Sequence, residues 1–489
     1  MSGCFSNPVH SNADCFEYEN FTFRPDSVTY GQFTIITDSC PQSGHIDRTW
    51  QLIRTFAGES AEADSLIDSE ERISALRRDM RNGSIIRDYS WPLKDRTAKW
   101  VIEAYRMYCL SGDRHWLHET YKAGANALDS QWEANYLPAI GLLRGEVDIP
   151  GFTEPSYPQW MRMPAKLSTI HLSTNVITVT AMQAMAAMAD SLHIQAPRFS
   201  QRASALTRAI NRHMWVPVTG TYAMSLYSSP YPVPCNTPDL PSLLLTVTSG
   251  VAQHDVAQYM LSQIAKNGPE LIKNIPSAPS IKWTTPYTAA INAGTDCNRL
   301  LIFENGRLEQ TVTPSSMQQL DIDRSKRFTT VNIAVETEAG TTGYSARPHR
   351  IIPAGAITEI EAEHVGTPGT RLIRQKTMAK RFIELTSTKN SRISFMVEEP
   401  TACTCIMELI YADGTSYQPW QLRNVIVNGQ TAGIIAMPKL YNGPSTRGTS
   451  TVITFHLNEG TNYIVLDTTP LLPQRGSILL DKIRLIRTN

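Results

Sequence analysis

The stretch R-G-E-V-D-I-P-G-F-T-E-P-S-Y-P-Q-W-M, Arg144 to Met161, decides how the rest of the chain is read. Glu146, Asp148 and Glu154 fall within nine positions, and Phe152, Tyr157 and Trp160 surround them. Pro150, Gly151, Pro155 and Pro158 forbid a regular helix. Helical patterns lie on both sides, so the sequence predicts a loop carried by helices. Carboxyl groups beside aromatic rings suit a sugar-cleaving site. The rings stack on the apolar faces of pyranoses, and the acids move protons or stabilise an oxocarbenium-like transition state. The same composition also fits a proline-rich connection with solvated acids.

Before this loop, Ile46, Trp50, Ile53 and Phe56 recur at helical spacing from His45. Further helices are predicted over 65–81, 95–110 and from His115, with Asp113 capping the last of these. After the loop, helices are predicted over 172–192, 197–215, 241–247 and 254–266. Consecutive antiparallel pairs with long loops at one end suggest an α/α toroid. Residues 16–38 alternate as strands ahead of the helices. Near residue 298 the pattern turns to short strands at 300–303, 308–313, 329–335 and 341–346, the first two joined at Asn305-Gly306. Residues 349–355 read as a linker. From Ile357 the chain is all strands, with turns at Asp413-Gly414, Asn428-Gly429 and Glu459-Gly460, as in a β-sandwich. The expected fold is multidomain: a tether and short β segment (1–43), an α/α toroid (44–297), a small fibronectin-like β module (298–352) and a β-sandwich of jelly-roll type (357–489).

Composition limits the function. The 489 residues are 42% hydrophobic and 18% charged, with 45 basic and 45 acidic side chains. A net charge of zero gives no basic field for nucleic acid. No apolar run is long enough for a transmembrane segment. The eight cysteines are scattered, apart from Cys403 and Cys405, and show no zinc spacing. Met1-Ser2-Gly3-Cys4 resembles the end of a bacterial lipoprotein cleavage site, without the charged and apolar regions that precede one. It gives an expectation of an exported chain, at the cell surface or in the periplasm, anchored through Cys4.

The last domain resembles the carbohydrate-binding modules of families six and thirty-five. The shared features are E-A-E (Glu361, Glu363), Y-A-D-G (Tyr411 to Gly414), V-N-G (Val427 to Gly429), the L-N-x-G-x-N run from Leu457, and L-D-K-I (Leu480 to Ile483). In those modules the opening acids and the final-strand Asp share a structural calcium ion, Ca2+. The resemblance carries this to Glu361, Glu363 and Asp481, whose hard oxygens suit that ion.

The helical part, about residues 44–265, resembles the six-hairpin, (α/α)6-toroid glycoside hydrolases of polysaccharide-degrading bacteria. The matching motifs are W-P-x-x-D-R (Trp91, Pro92, Asp95, Arg96), S-G-D-x-x-W-L (Ser111 to Leu117), and R-G-E followed by S-Y-P-Q-W-M. The resemblance implies a polysaccharide or oligosaccharide substrate. Catalytic candidates are Glu146 or Glu154 as acid, with Asp95 or Asp148 as the second carboxylate. Trp91, Arg96, Arg48, Phe152, Tyr157 and Trp160 are the substrate-binding candidates. Three departures stand against it. The acid of the family's L-D-W-R falls on Gly151. The W-x-R-D of the first hairpin becomes I-D-R-T, keeping Arg48 but placing Thr49 where the family has Asp. About eight helices precede residue 270, where a complete toroid has twelve. Glycosidic hydrolysis normally needs two carboxyl groups across one bond. The sequence therefore leaves three readings: a glycoside hydrolase, a catalytically decayed glycan-binding protein, or a structural scaffold.

Overall fold

In a computed structural model, the protein is described at residues 10–12, 15–18, 20–24, 27–30, 33–36, 44–57, 66–82, 96–145, 157–272, 276–295, 297–314, 318–321, 328–364, 372–375, 380–386, 388, 390–414, 420–440, 446–468 and 476–488. Its helices are α1 (His45–Phe56), α2 (Leu66–Arg81), α3 (Arg96–Ser111), α4 (Arg114–Asn135), α5 (Met163–Lys166), α6 (Leu172–Ser191), α7 (Pro197–His213), α8 (Leu240–Thr248) and α9 (His254–Ile272). Each helix expected from apolar spacing is present, and α5 adds a single turn. The α3–α4 hairpin shows why the spacing works. Gly112 takes a positive φ that ends α3. The Asp113 carboxylate then accepts from the amides of His115 and Trp116 at 2.9 and 3.1 Å, capping α4.

Helix α6 organises the helical part. Its run V-I-T-V-T-A-M-Q-A-M-A-A-M is apolar on every side and is buried along most of its length. Valine, isoleucine and threonine are weak helix formers, and packing overrides that preference here. The helix packs against α1, α3, α4, α7 and α8. Gly124 of α4 permits the closest approach: a Cβ there would stand 3.0 Å from the Met185 sulfur. Met182, Met185 and Met188 are core residues, as their setting in an apolar helix predicts. Nine helices are present among the described residues, so they do not by themselves make up the twelve-helix toroid that the resemblance implies. None of the described helices is long and apolar enough to cross a membrane.

Ahead of α1, five short strands between His10 and Ile36 form an antiparallel meander in chain order. Phe21 and Tyr30 of this sheet meet Phe56 of α1, with the Tyr30 ring 5.0 Å away. Strands resume earlier than expected. Ser280–Trp283 and Thr288–Asn292 lie before the predicted boundary near 298 and pair with each other, and Thr288–Asn292 pairs in turn with Gln318–Asp321. Pro279 and Pro286 flank these short runs and hide their alternation. A second sheet runs Arg307–Val312, Arg299–Glu304, Thr329–Glu336, His349–Ile351. Asn305 and Gly306 both take positive φ in the predicted hairpin. The expected strand at 341–346 is reduced to one bridge, Glu336 to Thr342, while the segment read as a linker supplies the strand His349–Ile351. Thr341 to Ala346 instead packs on the helical part: Thr342 bonds the Asn236 amide and Tyr344 the Ser225 hydroxyl.

From Ile357 onward two sheets face each other as a β-sandwich. One carries Leu372–Gln375, Lys380–Leu385, Ile478–Arg487, Cys403–Asp413 and Arg447–Thr449 in that order. Ile357–Glu361 and Ile453–Leu457 join its central strands. The other runs Arg392–Glu399, Gly460–Asp467, Trp420–Val427, Gln430–Pro438. Strict alternation of buried and exposed residues in Arg392–Glu399 shows one face on the core. Phe395, Met407, Leu409, Tyr411, Ile464 and Ile483 are among the residues between the sheets. The outer surface of the sandwich is partly covered. Leu422, Ile434 and Ala436 pack on Ala134 and Leu167, and Ile406 and Ile486 on Phe328.

Candidate functional site

The helical part is described up to Gly145 and again from Tyr157. Both ends are fixed by backbone and buried polar groups. The Gly145 amide donates to the Thr169 carbonyl at 3.0 Å. The guanidinium of Arg144, 6% exposed, donates to the Ile434 carbonyl of the sandwich at 2.6 Å. Burial lowers its pKa to about 10. Glu146, Asp148, Phe152 and Glu154, together with Trp91, Asp95 and Cys4, lie outside the described residues.

At the second end, Tyr157 and His171 share a hydrogen bond of 2.9 Å between the phenol and Nε2. His171 stands at the end of the strand Thr169–His171 and is 1% exposed. Burial pulls its imidazole down to about 4, so it is neutral at ordinary pH. The Tyr344 ring lies 5.6 Å from Tyr157, and the Lys166 ammonium sits 4.9 Å from the centre of the Tyr157 ring. Trp160 donates its indole N–H to the Ser345 carbonyl at 3.2 Å and meets the Tyr227 ring edge-on at 5.3 Å. These contacts hold both aromatic residues in fixed orientations.

Beside Trp160 a cleft of about 380 Å³ opens where the helical part, the middle strands and the sandwich meet. Arg162 and Tyr227 line it from the helical part, Arg347 and Arg350 from the segment before His349–Ile351 and from that strand, and Glu408 and Thr449 from the sandwich. Glu408 is 6% exposed and held from two sides, by Arg484 at 2.8 Å and Arg350 at 3.3 Å. It is the single carboxylate among the described lining residues. Of the substrate-binding candidates read from the sequence, Trp160 lines the cleft, while Tyr157 does not line it and shares a hydrophobic cluster with Trp160 and Tyr227. Arg48, on α1, and Arg96, at the start of α3, do not line it.

The three sandwich acids read as calcium ligands lie on or beside the antiparallel pair Ile357–Glu361 and Ile478–Arg487. Glu361 lies opposite Lys482 in the strand register, with its carboxylate 3.1 Å from the ammonium. Glu363 is half-buried in the turn that follows. Asp481 occupies a break in the register between Ile478–Arg487 and Cys403–Asp413, and is fully buried. Among the described residues neither of its oxygens accepts a hydrogen bond, and Arg447 Nε lies 3.4 Å from its carboxylate. Among the described residues no three His, Cys, Asp or Glu side chains gather as a metal cage.

Sequence reasoning missed Tyr227, Arg162, Arg347, Arg350 and Glu408. The arginines sit in W-M-R-M and in A-R-P-H-R, and nothing in their spacing places them together. Three distant chain segments do that.

No protein-family model matches the chain, and no curated protein matches it. Among solved structures, a family 35 carbohydrate-binding module from Clostridium thermocellum is 16% identical, with 27% of this chain and 98% of that one covered and a TM-score of 0.23. A GH26-CBM35 β-(1,4)-mannanase from Podospora anserina is 18% identical over 27% of this chain and 28% of its own, at a TM-score of 0.22. The isomaltodextranase of Arthrobacter globiformis T6 is 15% identical over 43% of this chain and 33% of its own, at 0.23. The chain thus spans nearly all of the isolated module and about a third or less of the two enzymes.

Proposed function

We propose that the chain is a carbohydrate-binding protein that takes a short glycan segment in the cleft beside Trp160. The observation that supports this is the locked indole: Trp160, tied to Ser345 and braced by Tyr227, lines a cleft whose rim is polar. An aromatic side chain held in this way loses little freedom when a sugar ring stacks on it. The described lining offers one carboxylate, Glu408, already neutralised by two arginines. The hydrolase reading rests on Glu146 or Glu154 as acid and Asp95 or Asp148 as its partner, through the sequence resemblance. One panel of oligosaccharides separates the two. Trp160→Ala is expected to weaken binding about tenfold or more, the scale of one lost aromatic platform. Binding that survives Trp160→Ala unchanged would remove the cleft from the proposal. Cleavage by the wild type that disappears in Glu146→Gln or Glu154→Gln, with binding kept, would establish the hydrolase instead.

A structural calcium ion at Asp481 is a second part of the proposal. Its buried carboxylate, whose oxygens accept no hydrogen bond among the described residues and face only the part-exposed Arg447 there, fits a hard cation, whereas Glu361 is engaged by Lys482. An ion that binds only the folded state stabilises it by about 2.7 kcal/mol at a hundredfold excess over Kd. The melting temperature is therefore expected to rise in calcium relative to chelator, and Asp481→Asn is expected to erase the difference. Superimposable melting curves for the wild type would refute the ion.

A further inference from the structure

We propose that the glycan taken by this cleft is an acidic one, carrying a carboxylate or a sulfate, and that Arg162 and Arg347 are the groups that bind its charge. The inference rests on the reading of the cleft as a sugar site and adds the chemical class of the sugar.

Charge in the cleft is the first ground. Three guanidinium groups line it: Arg162, Arg347 and Arg350. Guanidinium stays charged at any working pH. Glu408 compensates Arg350, and it also compensates Arg484 outside the lining. Among the described residues, Arg162 and Arg347 have no such carboxylate, and both are exposed. Among the described residues these two guanidinium groups leave net positive charge on one concave surface, which a bound anion offsets. The planar fork of each matches a carboxylate or a sulfate better than a neutral hydroxyl does. The charges of Arg347 and Arg350 also reach the Tyr227 phenol, where they offset part of the upward push from burial.

The rest of the lining selects a sugar over other anions. Trp160, Tyr227, Pro164 and Pro348 give broad apolar surfaces, and Ser229 and Thr449 add hydroxyls. The volume of about 380 Å³ lies at the small end of ordinary ligand pockets, about 300–1,000 Å³. The chain as a whole carries 45 basic against 45 acidic residues, without the excess of positive charge typical of a protein that tracks a nucleic acid strand. The cleft is thus built for one or two negative charges on a small, partly apolar body.

The test is calorimetric titration of the full chain with four probes: oligogalacturonides, the same oligosaccharides after reduction of their carboxyl groups, sulfated dextran oligosaccharides, and polyglutamate. The acidic oligosaccharides are expected to bind at least tenfold more tightly than the reduced ones, with affinity falling as salt rises. The uronate and sulfate arms show which acid the site prefers. Arg347→Gln and Arg162→Gln are each expected to cost about tenfold in acidic-sugar affinity, the scale of one charge-assisted hydrogen bond, and to leave the reduced sugars unaffected. Both arginines are exposed, so unchanged melting temperatures serve as the folding control. Equal affinity for acidic and reduced sugars, with both lost in Trp160→Ala, overturns the acidic assignment and leaves the glycan cleft standing. Polyglutamate binding as tightly as the acidic sugars also overturns it, as a plain anion site. No binding of any oligosaccharide overturns both.

Discussion

Replacing His171 with glutamine is expected to narrow the stability gap to wild type by up to about 3 kcal/mol as the pH falls from about 7 to about 4. The ring is 1% exposed and bonded to Tyr157, and burial holds its folded pKa at about 4 against an ordinary value of 6.5. A depressed folded pKa means that the unfolded chain takes up the proton first as the solution is acidified. The stability from keeping His171 neutral is therefore complete above about pH 6.5 and is lost as the pH falls towards 4. Glutamine cannot titrate, so its variant lacks this loss. At neutral pH the variant is the weaker protein, because the Tyr157 hydrogen bond is changed. Towards pH 4 the two curves approach or cross. Urea denaturation of both proteins at several pH values measures the gap directly. A gap that stays constant across this window would show that His171 titrates normally and that the base of the central loop is wet.

That His171 matters in this way was not legible in the sequence. Without metal-ligand spacing it reads as a surface or packing histidine, and packing is the part the structure supports. Its partner Tyr157 lies fourteen residues away, at the far end of the run that the proline-rich loop closes. Helices such as α3, α4 and α6 were legible because their signal is local: apolar periodicity, the Asp113 cap and the Gly112 stop all lie within a few turns. The sandwich was legible for the same reason, through alternation and the Asn428-Gly429 turn. The segment 341–351 misled because Thr341 to Ala346 has strand composition, yet Thr342 and Tyr344 bond to the helical part and only one bridge of a ladder forms. The cleft is the extreme case. Trp160 stood out in the sequence as an aromatic among acids and prolines. Arg347, Arg350 and Glu408 gained meaning only when three remote segments met.

Glutamine at position 408 is expected to destabilise the protein by about 3 kcal/mol, the cost of removing one partner from a buried ion pair. Glu408 is buried in the strand Cys403–Asp413, and its two oxygens are divided between Arg484 and Arg350. Arg484 has a second carboxylate, Glu359 at 2.8 Å, and can stay paired after the change. Arg350 is left beside Arg347 and Arg162 with no compensating charge in the described cleft lining. The loss therefore concentrates where the middle strands meet the sandwich, and two consequences separate it from a simple packing defect. Combining Glu408→Gln with Arg350→Gln should recover part of the loss, since the stranded cation is removed with its partner, giving a coupling energy of about 1–3 kcal/mol in a double-mutant cycle. An added small anion should also stabilise the single variant more than the wild type, by supplying the missing charge from solution. Chemical denaturation of the four proteins of the cycle, with and without sulfate, reads both. Additive losses and identical responses to sulfate would show that Glu408 is no more than a well-packed side chain, and that the arginines of the cleft are individually solvated.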